Sequence, residues 1–262
     1  MKTALITGAS SGLGLEFARR LSRDGFAVAL GGRRKDALEA AANEIASTGG
    51  AALACPGNIT SPEDLSRSAA AVKERFGGID FLILNAGVAH ISLLADYDDF
   101  SKMKEDIETD LWGTILSARI FLPLMRPNSR ILFVASAFGL VGGAGYSTYC
   151  AAKAGMINFA QSLRRELLCK GIAVHVACPA DIATPMYYGE LRDLPAWMGK
   201  FPGKRRPLPA DKTADRILAK CRGGNFIITS DFTTFLLRLA ARVLPESVML
   251  RVVDRALPLP GK

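Results

Sequence analysis

The chain has 262 residues, 49% of them apolar and 22% charged, and its 33 Lys and Arg against 25 Asp and Glu give a formal net charge of +8. This composition is typical of a soluble globular protein with one large or two small domains, which excludes intrinsic disorder and a small disulfide scaffold. The two histidines, His90 and His175, lie far apart in the sequence, which excludes a zinc hydrolase built on paired histidines, and we expect no metal site.

The cysteines and the apolar runs bear on the cellular compartment of the protein. Five cysteines form no CxxC pair and most lie in apolar runs, which favours a reducing environment. Met1-Lys2 leads directly into a strand-like run, so no signal peptide is expected, and no stretch approaches the roughly 18 uncharged apolar residues of a membrane span. We therefore expect a cytoplasmic protein that does not cross a membrane.

Short β-branched runs alternate with amphipathic stretches, as in βαβ units on a parallel sheet covered on both faces. Strands are predicted near residues 3–7, 26–31, 51–55, 80–85, 130–135, 172–178 and 225–229. The sequence Ser61-Pro62-Glu63-Asp64 predicts a helix start, because it combines an N-cap, a first-turn proline and early acids. We expect one α/β domain over residues 1–234 and a tail over residues 235–262.

A glycine-rich turn, Thr7-Gly8-Ala9-Ser10-Ser11-Gly12-Leu13-Gly14, follows the first strand and precedes a helix. Glycine permits a tight turn and the close approach of a ligand, and the N–H groups of a helix N-terminus can bind a pyrophosphate. The spacing is GxxxGxG rather than the commoner GxGxxG, but the flanking strand and helix favour a dinucleotide site.

Further motifs follow the predicted strands. They are Asn85-Ala86-Gly87 after the fourth strand, Ser136 after the fifth, and Tyr149-Cys150-Ala151-Ala152-Lys153 at the start of a helix. With these motifs in this order, nearly the whole chain resembles the short-chain dehydrogenase/reductase family, which carries TGxxxGxG, NAG, Ser and YxxxK. The resemblance implies a single-domain, Rossmann-type, doubly wound and mostly parallel sheet of seven strands with helices on both faces. It also implies oxidoreductase activity on CH–OH or C=O groups.

The chemistry of these residues accounts for their spacing. Tyr149 and Lys153 are four residues apart and share one helix face, so the ammonium can stabilise a phenolate. With an ordinary pKa of about 10, a tyrosine would be a poor base near neutral pH. Ser136 can donate a hydrogen bond to the substrate oxygen as that oxygen gains charge. A lone YxxxK would indicate only a solvated lysine and a packed tyrosine, but four motifs in order favour catalysis.

Two positions depart from the family pattern. The family usually has an asparagine in its fourth long helix, three residues before a glycine, and here Asp110-Leu111-Trp112-Gly113 places Asp110 there. If the residue acts mainly through its backbone carbonyl, aspartate keeps the role, and its carboxylate adds a charge near Lys153. The alternative is a catalytically weakened protein that binds a cofactor as a sensor or scaffold. Ala180 replaces the glycine that usually follows Pro179, but Ile182 and Thr184 remain for contact with the nicotinamide.

The end of the second strand bears on the choice of cofactor. A carboxylate there binds the ribose 2′-OH of NAD, whereas an arginine accommodates the 2′-phosphate of NADP. This chain has Arg33-Arg34-Lys35 and no acid at that position, and a guanidinium can hold a phosphate through two parallel hydrogen bonds. We expect NADP(H) rather than NAD(H), the alternative being that the basic triplet is only a solvated loop. The resemblance places Asn58 and Ile59 against the adenine, although aspartate is usual there.

Prolines and glycines interrupt the alternation of strands and helices over residues 180–209. This predicts a substrate loop or lid without regular structure, the alternative being a mobile loop with no role in binding. The resemblance places an apolar and aromatic set at the substrate pocket: Ala137, Phe138, Val141, Tyr146, Met186, Tyr187, Trp197 and Phe201. Such a lining suits a lipid-like, steroid-like or retinoid-like ketone or alcohol, although the aromatic residues of such a loop often form its own small core. The loop 179–185 and Gly223-Gly224-Asn225-Phe226 are also similar to 3-ketosphinganine reductases.

All of the net positive charge lies at the end of the chain, because residues 200–262 hold 13 basic and 5 acidic side chains whereas residues 1–199 hold 20 of each. In the tail, Arg238 and Arg242, like Arg251 and Arg255, are four residues apart, as in basic amphipathic helices that contact an anionic membrane surface. A subunit interface and a cap over the pocket are the alternatives.

No nucleic-acid partner is expected, because the charge coincides with apolar stripes. The resemblance implies a homo-oligomer built through the helices near 100–124 and 150–170.

Overall fold

The computed structural model describes residues 1–198, 206–257 and 259. The strands are β1 (Thr3–Thr7), β2 (Ala27–Gly32), β3 (Ala52–Pro56), β4 (Ile79–Leu84), β5 (Met125–Val134), β6 (Ala173–Cys178), β7 (Ile182–Ala183), β8 (Leu208–Pro209) and β9 (Ile227–Thr229). The α-helices are α1 (Gly12–Arg23), α2 (Lys35–Ser47), α3 (Pro62–Phe76), α4 (Phe100–Glu105), α5 (Thr114–Phe121), α6 (Ser147–Leu167), α7 (Pro185–Arg192), α8 (Ala210–Arg222), α9 (Phe232–Val243) and α10 (Glu246–Ala256). A π-helical segment, Asp106–Gly113, joins α4 to α5.

Seven strands form one parallel sheet in the order β3-β2-β1-β4-β5-β6-β9. The strand order reverses between β1 and β4, so the loops that follow these two strands diverge and leave a crevice at the carboxyl edge of the sheet. The predicted α/β fold is confirmed. Only β5 begins far from its predicted position, at Met125, where it pairs with Ile79 ahead of an irregularity in the register.

The strands alternate their side chains between two cores, one on each face of the sheet. On one face, Ile6 of β1 and Leu132 of β5 pack with Phe17 of α1 and with residues of α2 and α8. On the other face, Leu5 and Phe133 pack with residues of α3, α5 and α6. Both faces are therefore covered, and the strand ends are held rigidly at the edge where the motif residues lie.

The predicted start of α3 is confirmed. The Ser61 hydroxyl accepts a hydrogen bond from the backbone N–H of Asp64, and Pro62 is the first helical residue. Gly77 ends the helix in the left-handed region at φ 76°, a conformation that glycine adopts without strain.

The prediction that residues 180–209 lack regular structure is wrong for much of that segment. It contains α7, the short strands β7 and β8, and a 3-10 turn at Ala196–Met198. The Thr184 hydroxyl caps α7 by accepting from the N–H of Tyr187, and Pro185 is the first helical residue. This is the same cap and proline signal as at Ser61, and it was obscured by the surrounding prolines and glycines. Phe201 lies outside the described residues.

The last described helices are α9 and α10, and the predicted domain boundary at residue 234 falls inside α9. The two helices confirm the expected helical tail, of which residues 258 and 260–262 lie outside the described part. Arg238 does not belong to a free basic face, because its guanidinium donates to the carbonyl of Ile227 in β9 at 3.1 Å. Among the described helices, none is long and apolar enough to cross a membrane.

Candidate active site

The glycine-rich turn between β1 and α1 has the form of a pyrophosphate cradle. Gly8 and Gly12 have positive φ angles of 68° and 56°. A Cβ atom on Gly14 would lie 2.3 Å from the carbonyl oxygen of Gly8, so this position has no room for a side chain. Ser11 precedes α1 without a side-chain cap, which leaves N–H groups of the first turn for a ligand. The turn therefore fits the diphosphate of a dinucleotide.

Two of the residues predicted to contact the cofactor, Leu13 and Asn85, make structural contacts around the turn. Leu13 is buried and packs in the core, so any contact with a ligand would come from its backbone. The Asn85 amide donates to the carbonyl of Thr7 at 3.0 Å, and the N–H groups of Asn85 and Ala86 both donate to the Thr7 hydroxyl. Asn85-Ala86 thus fixes the start of the glycine-rich turn from the neighbouring strand.

The two arginines after β2 point in different directions. Arg34 donates through Nη2 to the hydroxyls of Ser10 and Ser11, at 2.9 and 2.7 Å, and so lies over the glycine-rich turn. Arg33 is 62% exposed and lies 3.3 Å from the carboxylate of Glu105 across the cleft. Asn58 and Ile59 follow β3 and line a small cavity with Gly31 and Gly32 at the end of β2.

Tyr149, Lys153 and Ser136 come together at the carboxyl edge of the sheet. Tyr149 and Lys153 are one turn apart on α6, and the ammonium lies 5.4 Å from the centre of the phenol ring. Lys153 is buried and donates to the carbonyl of Val134 at the end of β5. Ser136 follows that strand, and its hydrogen bond with Tyr149 favours the phenolate. Ser136 and Lys153 therefore both lie beside the phenol of Tyr149.

Asp110 forms a buried ion pair with Lys153. It lies in the π-helical segment, a distortion that is frequent at functional sites. One carboxylate oxygen accepts from the N–H of Val88 at 2.7 Å, and the other lies 2.9 Å from the ammonium. Gly87 makes room for the pair, because a Cβ there would lie 3.0 Å from the carboxylate.

This pair alters the electrostatics that the motif predicts. The pKa of Tyr149 is raised well above its usual value, first by burial and then by the negative charge of Asp110, with Ser136 opposing both. Burial likewise raises the pKa of Asp110, and Lys153 opposes that shift. The lowering of the Tyr149 pKa by Lys153 and a nicotinamide ring remains a prediction, and in the protein alone the Asp110 carboxylate opposes the effect of the ammonium.

Aromatic rings and α7 lie on the other side of Tyr149. Tyr146 is 4.8 Å from Phe138 and 6.2 Å from Tyr149 between ring centres, and its hydroxyl donates to Glu190 at 3.1 Å. Met186, 42% exposed, lines a cleft of about 790 Å³ together with Gly87, Arg33 and Glu190.

The predicted nicotinamide contacts lie between this cleft and the glycine-rich turn. A Cβ on Gly12 would lie 3.2 Å from the Thr184 side chain, so Thr184 adjoins the turn. Pro179 accepts through its carbonyl from the N–H of Ala137, and Ile182 packs against the core. Among Pro179, Ile182 and Thr184, Thr184 is thus the residue whose side chain faces the glycine-rich turn.

Comparison with known proteins identifies the family. Residues 2–193 match the family model for short chain dehydrogenases. The chain belongs to the short-chain dehydrogenase family. It is 30% identical to an uncharacterized oxidoreductase of Bacillus subtilis over 83% of this chain and 82% of the relative. It is 33% identical to the D-beta-hydroxybutyrate dehydrogenase of Rhizobium meliloti over 73% of this chain and 76% of the relative.

Solved structures of similar proteins share the fold. An alcohol dehydrogenase from Thermococcus sibiricus, complexed with 5-hydroxy-NADP, has a TM-score of 0.76 and 25% identity, covering 87% of this chain and 95% of its own. A short-chain dehydrogenase/reductase from Burkholderia phymatum, in complex with NAD, has a TM-score of 0.82 and 21% identity, covering 95% of both chains. The family match and the sequence relatives support an oxidoreductase that acts on CH–OH and C=O groups.

This dehydrogenase also contains a buried network that the sequence analysis missed. Asp106 is fully buried, and its two oxygens contact His90 Nδ1 at 2.8 Å and the Thr148 hydroxyl at 2.6 Å. Glu105 lies 3.4 Å from the other nitrogen of His90. Asp106 precedes Asp110 by four residues, a spacing that could have indicated a shared face, but its partners lie 16 and 42 residues away.

Proposed function

We propose that this short-chain dehydrogenase uses NADP(H) and interconverts an apolar ketone and its alcohol. The observation that carries the proposal is the convergence of Ser136, Lys153 and Tyr149 beside a glycine-rich turn over which Arg34 lies. A bound nicotinamide dinucleotide supplies or accepts the hydride. The residues of the chain must therefore position the carbonyl and move one proton.

Tyr149 is the proton donor and acceptor in this proposal. In the reduction it gives its phenolic proton to the substrate oxygen, and in the oxidation it takes that proton back. Ser136 donates a hydrogen bond to the same oxygen where charge develops. Lys153 lies 5.4 Å from the phenol ring and favours the phenolate, and the Asp110 carboxylate at 2.9 Å opposes that effect.

The preference for NADP(H) over NAD(H) rests on Arg34 and Arg33. Arg34 is positioned by two serine hydroxyls of the turn, and the position directly after β2 holds Arg33 rather than an acid that could bind a free 2′-hydroxyl. We expect Arg34→Ala to weaken NADPH binding at least about tenfold in a fluorescence titration while NADH binding changes little. Arg33→Ala should act in the same direction. Equal losses for both cofactors would show that the arginines do not contact the phosphate.

The apolar substrate class rests on the rings beside Tyr149. The ring of Tyr146 packs against Phe138 and Tyr149, and Met186 lines the neighbouring cleft. The test is NADPH oxidation with a panel of ketones of increasing chain length, in the wild type and in Ser136→Ala. Turnover that rises with chain length and falls in the variant supports the proposal, and turnover of only small polar ketones overturns the substrate class.

A second candidate function, a cofactor-binding sensor or scaffold without turnover, is favoured by Asp110 alone. The buried carboxylate pairs with the lysine that should activate Tyr149. Such a protein would bind NADPH normally and reduce no ketone in the panel. Turnover on any carbonyl that is lost in Ser136→Ala would exclude it.

The tail, predicted from residue 235 onward, is proposed as a contact surface. Large apolar side chains lie exposed along one face of α9: Phe232, Phe235, Leu236, Leu239 and Val243. Exposed Arg242 on the same helix, and Arg251 and Arg255 on α10, add positive charge. This combination suits the cytoplasmic face of an anionic membrane, with a subunit interface or a pocket cap as the alternatives. A homo-oligomer through α4–α5 and α6 is also proposed, and sedimentation measures it.

A further inference from the structure

Glu105 is an acid that the fold brings to one of the two arginines expected to select the cofactor. The position directly after β2 holds Arg33, and Oε1 of Glu105, the last residue of α4, lies 3.3 Å from Nη1 of this arginine. The two residues are 72 positions apart in the sequence, and both line the same cleft. A carboxylate that the sequence around β2 does not supply is therefore present beside the guanidinium.

Arg33 and Arg34 differ in the charge of their partners. Arg34 donates to the hydroxyls of Ser10 and Ser11, which are neutral and leave its positive charge uncompensated. Arg33 donates to a carboxylate, so its charge is already partly neutralised. A phosphate monoester carries about −1.5 to −2 charges at pH 7. To gain the full attraction of Arg33, such a phosphate must displace Glu105 from the guanidinium.

The carboxylate of Glu105 is held in place from its other side. Its Oε2 lies 3.4 Å from Nε2 of His90, and Nδ1 of His90 contacts Oδ1 of Asp106 at 2.8 Å. Asp106 is fully buried, and its other oxygen accepts from the Thr148 hydroxyl at 2.6 Å. Exposed ion pairs are weak partly because two long side chains must be ordered to form them. Here the contacts of His90 order one of the two beforehand, so Glu105 is a preorganised counter-ion for Arg33.

We propose that Glu105 is a specificity-determining residue that competes with the 2′-phosphate of NADPH for Arg33. NADH carries a hydroxyl in place of this phosphate, and its binding does not require the ion pair to break. The carboxylate therefore lowers the affinity for NADPH alone and narrows the difference between the two cofactors. This inference rests on the proposed function, because it requires that Arg33 contact the phosphate.

A structural role for the ion pair makes a different prediction. If Glu105 only clamps α4 to the loop after β2, or if it orients Arg33 toward the phosphate, its loss leaves NADPH binding unchanged or weakens it. Glu105→Gln keeps the size of the side chain and removes its charge. Glu108→Gln is the matched control, because it removes the same charge three residues later, where Glu108 pairs with Lys104 at 3.2 Å.

The experiment is a fluorescence titration of the full chain with NADPH and with NADH, which differ only in the 2′-phosphate. Glu105→Gln should bind NADPH at least about threefold more tightly than the wild type, with NADH affinity within about twofold. Glu108→Gln should bind both cofactors as the wild type does. Unchanged or weaker NADPH binding in Glu105→Gln, an equal gain for both cofactors, or the same gain in Glu108→Gln would overturn the proposal.

A double variant shows whether the effect passes through Arg33. Compared with Arg33→Ala alone, the combination of Arg33→Ala and Glu105→Gln should change NADPH affinity by less than about 1.5-fold, because no guanidinium remains to compete for. A gain of about threefold in this background would overturn the competition, because the carboxylate would then repel the phosphate directly.

The same titrations separate this inference from the proposed cofactor preference. A selective loss of NADPH affinity in Arg33→Ala, without any gain in Glu105→Gln, would support the preference and refute the competition. Equal losses of both cofactors in Arg33→Ala and in Arg34→Ala would refute the preference and the competition together.

Discussion

Replacing Asp110 with asparagine should move the pH dependence of the reaction toward acid. The Asp110 carboxylate lies 2.9 Å from the Lys153 ammonium, and at an effective dielectric constant of about 20 their attraction is about 6 kcal/mol. That attraction opposes the effect of burial, which raises the pKa of Asp110. In Asp110→Asn the negative charge disappears and Lys153 is free to stabilise the phenolate, so the pKa of Tyr149 should fall.

The size of the shift follows from the distances. Lys153 Nζ is 2.9 Å from the carboxylate and 5.4 Å from the phenol ring centre, so the carboxylate lies within about 8 Å of the ring. Two unit charges at about 8 Å interact by about 2 kcal/mol at the same dielectric constant, which corresponds to about 1.5 pKa units.

The assay is the pH profile of kcat/KM for oxidation of the best alcohol found in the ketone screen. Because the phenolate is the base, the rate rises with pH, and in Asp110→Asn this rise should occur about 1.5 units lower. Glu108→Gln is the matched control, since it removes the same charge from an exposed position of the same π-helical segment. An unchanged profile in Asp110→Asn, or an equal shift in Glu108→Gln, would refute the reasoning.

Three further predictions concern the cradle, the core and the tail. Gly14→Ala should weaken NADPH binding at least about tenfold in a fluorescence titration, because its Cβ would lie 2.3 Å from the Gly8 carbonyl oxygen. The control is Gly25→Ala, where the Cβ has open space but the backbone is left-handed, so this variant should lose stability and keep NADPH binding. Phe133→Ala should lower the free energy of unfolding by about 3–5 kcal/mol in urea, because the ring is fully buried between β5 and α6, and a loss below about 1 kcal/mol would contradict this packing. The double substitution Leu236→Glu and Leu239→Glu should abolish co-sedimentation with anionic vesicles at low salt, whereas Ala241→Glu, on the other side of α9, should preserve it. If the wild type ignores such vesicles, the exposed stripe serves another partner.

The sequence predicts the parts of this protein that depend on short-range signals. The seven sheet strands are short apolar runs, and the cap and proline at Ser61-Pro62 mark the start of α3 correctly. The same signal at Thr184-Pro185 begins α7, but the many prolines and glycines around it suggested a loop without regular structure. Local patterns are therefore reliable where the neighbouring residues do not contradict them.

The charges of the site and the contacts of the tail depend on residues that are distant in the sequence, and no local pattern contains that information. The family pattern places the charge of Asp110 near Lys153, but only the fold shows that the two groups form a buried ion pair at 2.9 Å. Arg238 was expected on a free basic face, but it reaches the edge strand β9. Glu190 and Tyr146 are 44 residues apart, and only the position of α7 brings them together. These pairings set the charge of the site, and the motifs alone give only its location.

The most direct test of the central claim is the substitution Tyr149→Phe, which removes one hydroxyl and keeps the ring beside Tyr146. The account predicts that NADPH binding stays within about twofold of the wild type. It also predicts that NADPH oxidation with the best ketone falls about 10²- to 10⁴-fold, as expected for the loss of a proton donor. Undiminished turnover in Tyr149→Phe would contradict the account, because the proton would then come from another group.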